Sequence, residues 1–252
     1  MTNQIEPRYA GSPLGRPDDP ASTAAEVRRM FAGVARHYDF LNHFLSLGTD
    51  ILWRRATANT LAVDLAPRES VVADLCCGTG DLSLALARRS AGQVVGVDFC
   101  HPMLARAREK SAGLPRLAFV EADALRLPFA DDRFDAVAVA FGFRNLTNYR
   151  HGLAEMYRIL KPGGTVALLE FSRVRSAVIG PLFRFYFRRI LPRLGGWISG
   201  DAASYRYLPD SVKRFPDQDA LVRLMQATGF INVRYRNLSW GVAALHVGSK
   251  PR

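Results

Sequence analysis

A short apolar run ends in a glycine-containing loop in the sequence Val71-Val72-Ala73-Asp74-Leu75-Cys76-Cys77-Gly78-Thr79-Gly80-Asp81. The apolar part, Val71 to Cys76, predicts a strand, and the residues from Asp81 to Ser90 predict a helix. Glycines between a strand and a helix let the backbone approach a ligand, and the first helical turn offers free N–H groups. The segment is therefore the candidate ligand-binding loop of the chain.

Strands and helices are predicted to alternate after this loop. The further predicted strands are Val94–Phe99, Leu117–Glu121, Phe134–Ala140, Thr165–Phe171, Ile231–Leu238 and Ala243–Ser249, with a turn at Lys161–Gly164 before the fourth of these. Alternation of this kind is typical of a parallel sheet covered by helices. The last two strands are joined by Ser239–Val242, which is too short for a crossover helix, so that pair must be antiparallel. We therefore predict an α/β fold: a seven-stranded, mostly parallel sheet with a C-terminal antiparallel hairpin, as in Rossmann-like class I S-adenosylmethionine-dependent methyltransferases.

Composition divides the chain into a leader and one domain. Residues 1–22 contain four prolines and predict a flexible leader, and residues 23–252 predict a single domain. Within that domain, residues 23–65 are helical in pattern and residues 173–216 form an insertion on the substrate side. With 48% hydrophobic and 23% charged residues among 252, the composition excludes global disorder, collagen and a disulfide scaffold.

The charge balance indicates an acidic partner. Lys and Arg number 34 against 23 Asp and Glu, a net charge of +11, which suits nucleic acid, anionic lipid or an anionic metabolite, or serves solubility alone. Residues 173–193 carry six arginines and no acidic residue, interleaved with apolar side chains. This pattern predicts an amphipathic helix on an anionic membrane surface, with a lid or a homodimer contact as alternatives.

The cellular location is predicted from cysteine usage and hydropathy. Three cysteines without metal-ligand spacing favour a reducing compartment. No apolar run has the roughly 18–20 residues that cross a bilayer. We expect a cytoplasmic protein that can bind the inner face of the cell membrane.

Two cofactors compete for the glycine loop. A dinucleotide fold places a third glycine or alanine where this chain has Ser83, and the carboxylate of Asp81 would repel a pyrophosphate. S-adenosylmethionine instead carries a sulfonium and an ammonium, which suit Asp74 and Asp81. Asp98, which ends the second strand, can accept both hydroxyls of an adenosine ribose. The loop therefore favours S-adenosylmethionine.

Longer motifs make the chain similar to the ubiquinone/menaquinone biosynthesis C-methyltransferases from Ala32 to the C-terminus. The motifs are Tyr38–Asn42, Asp74–Asp81, Leu127–Asp135, Ala140–Asn145 and Tyr205–Ser211. The resemblance implies C-methylation of a polyprenylated quinol with S-adenosylmethionine and no metal. Val212–Pro216 looks more like the menaquinone members, which implies conversion of demethylmenaquinol to menaquinol.

The resemblance also implies site residues. Beside the loop residues Asp74, Gly78 and Gly80, it assigns cofactor contacts to Thr79, Asp98, Asp123, Ala124 and Ala140; relatives carry serine at the last of these. Its Phe-Gly-x-Arg-Asn motif places Arg144 and Asn145 after the fourth strand, beside the cofactor crevice. We expect Arg144 to stabilise a phenolate, because an arginine is a weak base, and Asn145 to orient a hydroxyl.

Three tyrosines are candidate substrate-binding residues. Tyr205 and Tyr207 would line the quinol pocket or pack in the core, and Tyr38, with Asp39, would close over the cofactor or cap a helix.

The sequence is also compatible with other functions. They are a dual ubiquinone and menaquinone precursor methyltransferase, a phospholipid or small-amine N-methyltransferase, and a catalytically inactive protein that binds membrane or nucleic acid. The Ala140–Arg144 segment lacks the Asp/Asn-Pro-Pro-aromatic motif of methyltransferases that act on nucleic-acid amino groups, and no Asp/Asn cluster suited to Mg²⁺ follows it. We therefore expect neither nucleic acid nor a metal at the site.

Overall fold

The architecture is taken from a computed structural model of the chain, which describes residues 20–35, 38–174, 179–186, 189 and 202–252. Within these ranges the helices and strands are α1 Pro20–Val34, α2 Tyr38–Leu45, α3 Thr49–Thr60, α4 Ala62–Leu65, β1 Val71–Leu75, α5 Asp81–Ala87, β2 Gln93–Asp98, α6 His101–Lys110, β3 Leu117–Glu121, β4 Phe134–Ala140, α7 Tyr149–Ile159, β5 Leu160–Phe171, α8 Ile179–Phe185, α9 Ala202–Arg214, α10 Gln218–Thr228, β6 Ile231–Leu238 and β7 Ala243–Ser249. None of these described helices has both the length and the apolar character needed to cross a bilayer.

The strands form one sheet in the order β3-β2-β1-β4-β5-β7-β6. The first five strands pair in parallel, and β7 runs antiparallel to both β5 and β6. The predicted α/β fold with its C-terminal antiparallel hairpin is confirmed. Because β1 lies between β2 and β4, the strand order reverses there, and the carboxyl ends of β1 and β4 flank a crevice where such sheets bind ligands.

The predicted bounds of β1, β2 and α5 differ from the structure by one to three residues, and two further boundaries differ in ways that affect the fold. The predicted turn at Lys161–Gly164 lies inside β5, whose register against β4 shifts between Phe134 and Ala136, so these residues form an irregularity and do not precede the strand. Helix α1 begins at Pro20, ahead of the predicted domain start at residue 23. Residues 1–19 of the predicted leader lie outside the described residues, so the leader stays a prediction.

Helices cover both faces of the sheet. Along β4 the side chains alternate between two apolar clusters, Phe134, Val137 and Val139 in one and Ala136 and Ala138 in the other. The first cluster is completed by α7 and α10, and the second by α3 and α5. Because both faces are buried, the central strands are apolar throughout, which is why the sequence predicted them well.

The N-terminal helices lie over the carboxyl ends of the strands. A smaller apolar cluster, Val34, Ala35, Cys100 and Met103, packs the end of α1 against the start of α6. Helix α2 contacts α3 across a short connection in which Gly48 has a φ of 73°. These contacts place α1, α2 and α3 around the crevice.

Candidate active site

The loops after β1 and β4 are held in close contact at the crevice. Cys76 and Phe141 directly follow these two strands, and both have positive φ values, 53° and 59°. Such values are uncommon outside glycine, and strained backbone of this kind clusters at functional sites. A Cβ on Gly142 would lie 2.3 Å from the Cβ of Cys76, so only glycine allows this approach.

A cavity of about 970 Å³ opens at this point. Seven of the eight predicted cofactor residues line it, namely Asp74, Gly78, Thr79, Asp98, Asp123, Ala124 and Ala140. The eighth, Gly80, is not among the lining residues. It precedes α5 with a φ of 84°, and a Cβ at this position would lie 3.1 Å from the Cβ of Ala107 and 3.3 Å from the Phe119 ring. Gly80 therefore shapes the turn into α5, whereas the other seven residues face the space that a ligand would fill.

Asp74 is a buried carboxylate with one oxygen left without a partner. Its side chain lies at the end of β1 and is 1% exposed. The Ser83 hydroxyl donates a hydrogen bond of 2.5 Å to Oδ2, while Oδ1 has no hydrogen-bond partner among the described residues. Burial raises the pKa of Asp74 to about 7, against the Ser83 hydrogen bond and the charge of Arg54. An unpaired buried acceptor beside a cavity suits a cationic ligand group such as an ammonium.

Asp98 ties the glycine loop to the end of β2. Its Oδ2 accepts a 2.9 Å hydrogen bond from Gly78 N, and its Oδ1 accepts one of 2.9 Å from Cys100 N. Burial raises the pKa of Asp98 to about 6, although these N–H groups favour the ionised form. Each carboxylate oxygen keeps further acceptor capacity, which can serve the hydroxyls of a ribose.

The remaining predicted cofactor positions differ in what they offer. Asp123 uses Oδ1 to accept a 2.9 Å hydrogen bond from Leu125 N, which shapes the turn after β3. Ala124 is 6% exposed and presents an apolar surface. Ala140, at the end of β4, has no hydroxyl, so only its backbone and methyl group are available to a ligand.

Helix α2 is fastened to the glycine loop. Asp39 accepts hydrogen bonds from the Thr79 hydroxyl and, at 2.6 Å, from Lys110 Nζ. Lys110 also donates to Asp81 at the start of α5. These bonds hold the first turn of α2 against the glycine loop, and the closure of Tyr38 and Asp39 over a cofactor stays a prediction.

A second cavity of about 730 Å³ adjoins the first. Four residues line both cavities, Phe31, Tyr38, Arg54 and Phe141. The second cavity is also lined by two predicted site residues, Arg144 and Tyr207, and by the α2–α3 residues Asn42, Ser46 and Asp50. The two spaces therefore meet at a shared wall, where a cofactor and an acceptor could come into contact.

Asn145 and Tyr207 connect the two cavities. Asn145 lines the first, Tyr207 lines the second, and the Tyr207 hydroxyl donates a 2.8 Å hydrogen bond to Asn145 Oδ1. Tyr205, the other predicted tyrosine, lies on the same helix, but its side chain is not described, and its role stays a prediction.

Arg144 is held by a buried carboxylate. Its Nη1 donates to Glu170 Oε1 at 2.8 Å and to the Phe141 carbonyl, and its backbone N donates to Glu170 Oε2 at 3.2 Å. Its Nε has no hydrogen-bond partner among the described residues. Burial alone would lower the pKa of Arg144, but the attraction of the Glu170 carboxylate has a larger effect, together with smaller contributions, and the pKa is raised. The guanidinium therefore stays charged, with a donor left for a ligand.

Two further cations neutralise the acidic groups of α2, α3 and α5. The ligand atoms of His43, Asp50 and Asp81 lie within 4.8 Å of one another, a spacing that a metal ion would tolerate. Arg54, however, donates to Asp50, and Lys110 donates to Asp81. The positive charge at this point is supplied by side chains of the protein.

Arg54, Lys110 and Glu170 were not predicted as site residues. Glu170 had a sequence signal, because a carboxylate inside the apolar run Val166–Phe171 must have a buried partner. Arg54 follows Asp50 by four residues, the spacing of a helical ion pair. Lys110 gave no such signal, because its partners lie far away in the sequence.

Comparison with known proteins gives the family of the chain. A model of the ubiE/COQ5 methyltransferase family matches residues 20–250. The chain is 51% identical to a demethylmenaquinone methyltransferase of Thermus thermophilus over 88% of this chain and 100% of the relative, and 49% identical to one of Deinococcus radiodurans over 89% and 92%. Among solved structures, a phosphoethanolamine N-methyltransferase of Haemonchus contortus in complex with S-adenosyl-L-methionine has a TM-score of 0.55, 16% identity and coverage of 73% of this chain and 49% of its own, a likeness of fold alone.

Proposed function

The chain belongs to the ubiE/COQ5 methyltransferase family, and on this premise we propose that it uses S-adenosylmethionine to methylate a ring carbon of a polyprenylated quinol, converting demethylmenaquinol to menaquinol. The observation that carries the proposal is the shared wall of the two cavities. One cavity has the acidic residues for a cation, and the other has arginines for an anion. The high identity to demethylmenaquinone methyltransferases supports the choice of acceptor.

The residues of the first cavity fit S-adenosylmethionine. The free Oδ1 of Asp74 would accept from its ammonium, and Asp98 would accept from its ribose hydroxyls. Gly78, Thr79, Asp123, Ala124 and Ala140 would line the remaining surface. When bound, the cofactor supplies a methyl carbon on a sulfonium, which becomes a neutral thioether as the methyl group leaves.

The second cavity would hold the ring of the acceptor. Loss of a ring hydroxyl proton to water gives an anion whose adjacent carbon supplies the electron pair of the new C–C bond. That carbon then loses its proton to water while the oxygen regains one, so the whole reaction releases one proton. Arg144 would donate to a ring oxygen, and Asn145, through Tyr207, would orient a hydroxyl. The protein aligns the partners and stabilises the anion, since the electrophile is already activated.

An anionic membrane surface is the proposed site of access to the lipid-soluble acceptor, from the cytoplasmic side. The described part of segment 173–193 includes α8, in which Phe185 is 58% exposed, while residues 175–178, 187–188 and 190–193 lie outside the described residues. Helices α2 and α3 line the acceptor cavity. Together with the connection between them, they also carry exposed apolar side chains, namely Phe40, Phe44, Leu47, Ile51 and Leu52. With a net charge of +11, such a surface suits anionic lipid. A second copy of the chain is the alternative partner.

The test is a methyl-transfer assay with labelled S-adenosylmethionine and two reduced acceptors, a demethylmenaquinol and the benzoquinol precursor of ubiquinone. We expect label on a ring carbon of the naphthoquinol alone. Label on both acceptors would make the enzyme dual. The charge-matched control is Asp210→Asn, an exposed position, and the cofactor-site variant is Asp74→Asn. The former is expected to retain transfer and the latter to lose most of it.

Label on neither acceptor, with the cofactor still bound in a calorimetric titration, would overturn the quinol assignment. Phosphoethanolamine and phosphatidylethanolamine would then be the next acceptors, which covers the N-methyltransferase alternative. Failure to bind the cofactor would favour the inactive binding protein.

A further inference from the structure

Arg54 occupies the wall between the two cavities. It lies on α3, is 8% exposed, and lines both spaces, whereas Arg144 lines the second alone. The next residue of the helix, Arg55, is exposed. The helix therefore directs one of two adjacent arginines into the site and the other into solvent.

The guanidinium of Arg54 is fixed in place but not saturated with partners. Nη1 donates to Asp50 Oδ2. Asp50 in turn accepts from the Ser46 hydroxyl at 2.7 Å and contacts His43 Nδ1 at 2.8 Å. Burial would raise the pKa of Asp50, but the charge of Arg54 and the hydrogen bond from Ser46 have the larger effect, so the pKa of Asp50 is lowered and its carboxylate stays ionised. Of the five N–H donors of a guanidinium, the hydrogen bonds within the described residues engage Nη1.

Arg54 and Arg144 flank one pair of aromatic rings. The Cζ of Arg54 lies 5.4 Å from the centre of the Phe141 ring, and the Cζ of Arg144 lies 5.4 Å from that of Phe171. The two rings are 4.8 Å apart. Burial raises the pKa of Tyr38, and both arginines oppose that rise, so both charges act on the same hydroxyl. Each guanidinium has its own buried carboxylate, Asp50 or Glu170.

We propose that Arg54 donates a hydrogen bond to the ionised ring oxygen next to the carbon that receives the methyl group, while Arg144 holds the other ring oxygen. This inference rests on the proposed function. The reacting carbon must lie where the cavities meet, and the oxygen on the adjacent carbon must lie close to the same wall. Arg54 is the arginine that lines that wall. Its hydrogen bond would raise the ionised fraction of the acceptor at neutral pH.

The test compares Arg54→Gln with Arg54→Lys and with the exposed control Arg55→Gln. We expect Arg54→Gln to lower kcat for demethylmenaquinol at pH 7 by about 10- to 100-fold, the value of one hydrogen bond to a charged group. The Kd for S-adenosylmethionine should change by a smaller factor than kcat, because Arg54 affects the cofactor site only through its charge on Asp74. Arg54→Lys should recover part of kcat, because it keeps the charge and loses the planar fork. Arg55→Gln should behave as wild type.

The pH dependence separates a role in acceptor ionisation from a structural one. In Arg54→Gln the low-pH limb of the pH–kcat profile should shift to higher pH by about one to two units, because a 10- to 100-fold weaker stabilisation of the anion raises the pKa of the bound acceptor by that amount. His43, Asp50, Asp74 and Tyr38 are the titratable groups that face Arg54 from α2, α3 and β1, and all of them remain in the variant. A naphthoquinol with an electron-withdrawing substituent ionises at lower pH, and it should lose less activity in Arg54→Gln.

Three results would overturn the proposal. One is an Arg54→Gln enzyme with wild-type kcat and pH limb. Another is a rise in the Kd for S-adenosylmethionine that equals the fall in kcat/KM, which would assign Arg54 to the cofactor through Asp74. If Arg54→Gln does not fold, the double variant Asp50→Asn/Arg54→Gln removes both charges of the pair, and normal kcat in that folded variant would also refute the role. A wild-type enzyme inactive on every quinol would instead refute the proposed function.

Discussion

Replacing Asp74 by asparagine is expected to stabilise the ligand-free protein and to weaken S-adenosylmethionine binding. The carboxyl group is 1% exposed, and one of its oxygens has no partner among the described residues. An ionised carboxylate in such a place is unfavourable unless a cation compensates it. Asparagine has nearly the same shape and carries no charge, so the variant isolates the effect of ionisation.

The magnitude depends on pH in a direction set by the raised pKa. Below the ordinary pKa of 3.8 the carboxyl group is protonated in both the folded and the unfolded protein, and there is no penalty. Between 3.8 and about 7 the unfolded chain releases the proton and the folded one keeps it, so wild-type stability falls as pH rises. The penalty amounts to about 2 kcal/mol at pH 5 and about 4 kcal/mol at pH 8.

The asparagine amide offsets part of this gain. Its Nδ2 takes the position of the unpartnered Oδ1 and is a buried donor without an acceptor, which costs about 1–3 kcal/mol at either pH. We therefore expect a net gain at pH 8 and little or none at pH 5. The difference between the two pH values, about 2 to 3 kcal/mol, is independent of the amide.

Urea unfolding of wild type, Asp74→Asn and the exposed control Asp210→Asn at both pH values measures this difference. The control should show no comparable pH-dependent gain. A calorimetric titration of folded Asp74→Asn should give a Kd for S-adenosylmethionine raised about 10- to 100-fold, the loss of one charge-assisted hydrogen bond. Equal changes in unfolding free energy at pH 5 and pH 8 would refute the burial argument, and an unchanged Kd would remove Asp74 from the cofactor site.

Three further expectations concern the same site and its surroundings. Wild-type affinity for S-adenosylmethionine should fall about fourfold from pH 8 to pH 6, because a roughly tenfold loss of ionised Asp74 exceeds the roughly 2.5-fold gain in the protonated amine of the ligand. A flat Kd in calorimetry would contradict this. Arg144→Lys should lower kcat in steady-state assays while the cofactor Kd stays constant. Arg144→Ala should in addition lower the free energy of unfolding, measured by denaturation, by about 3–5 kcal/mol, because it leaves Glu170 buried without its partner. Leu47 is 88% exposed and has a positive φ, and Leu47→Asp should lower the affinity for anionic vesicles, measured by co-sedimentation, by about tenfold or more. The control Val63→Asp, at 84% exposure, should leave this affinity unchanged, and equal effects of the two variants would remove the surface of α2 and α3 from the membrane proposal.

The sheet and the first cavity were predictable because both follow from local pattern. Strands β3, β4, β6 and β7 have the predicted bounds, since apolar runs between turn residues leave little freedom. Once the strands are parallel, their carboxyl ends meet at one edge, which brings Asp74, Asp98 and Ala140 together. The prediction of a turn before β5 was wrong, and it shows where local pattern is insufficient. Lys161–Gly164 has turn composition, but pairing on both sides of it keeps it within the strand.

The second cavity could not be predicted from local pattern. It requires α1, α2 and α3 to fold over the sheet, and the bonds that hold α2 there join residues distant in sequence. Asp39 is 40 residues from Thr79 and 71 from Lys110. Arg54 and Glu170 each had a signal, an i to i+4 pair and a charge in an apolar strand, but neither signal says which cavity the partner lines. The division of the arginines between the two spaces is visible only in three dimensions.

The opposite charges of the two reactants have a specific consequence for catalysis. In the proposed transfer a sulfonium cation and a ring oxyanion both become neutral, so charge declines toward the transition state. A site that bound both charges strongly would stabilise the reactants more than the transition state and would slow the step. The buried carboxylates reduce this stabilisation of the reactants, because Glu170 and Asp50 neutralise the two arginines. Each arginine then acts as a hydrogen-bond donor within an ion pair of little net charge. On this reasoning the arginines act mainly by increasing the ionised fraction of the acceptor, and the effect of removing Arg54 should shrink as the pH approaches the acceptor's own pKa, near the value of about 10 for a simple phenol.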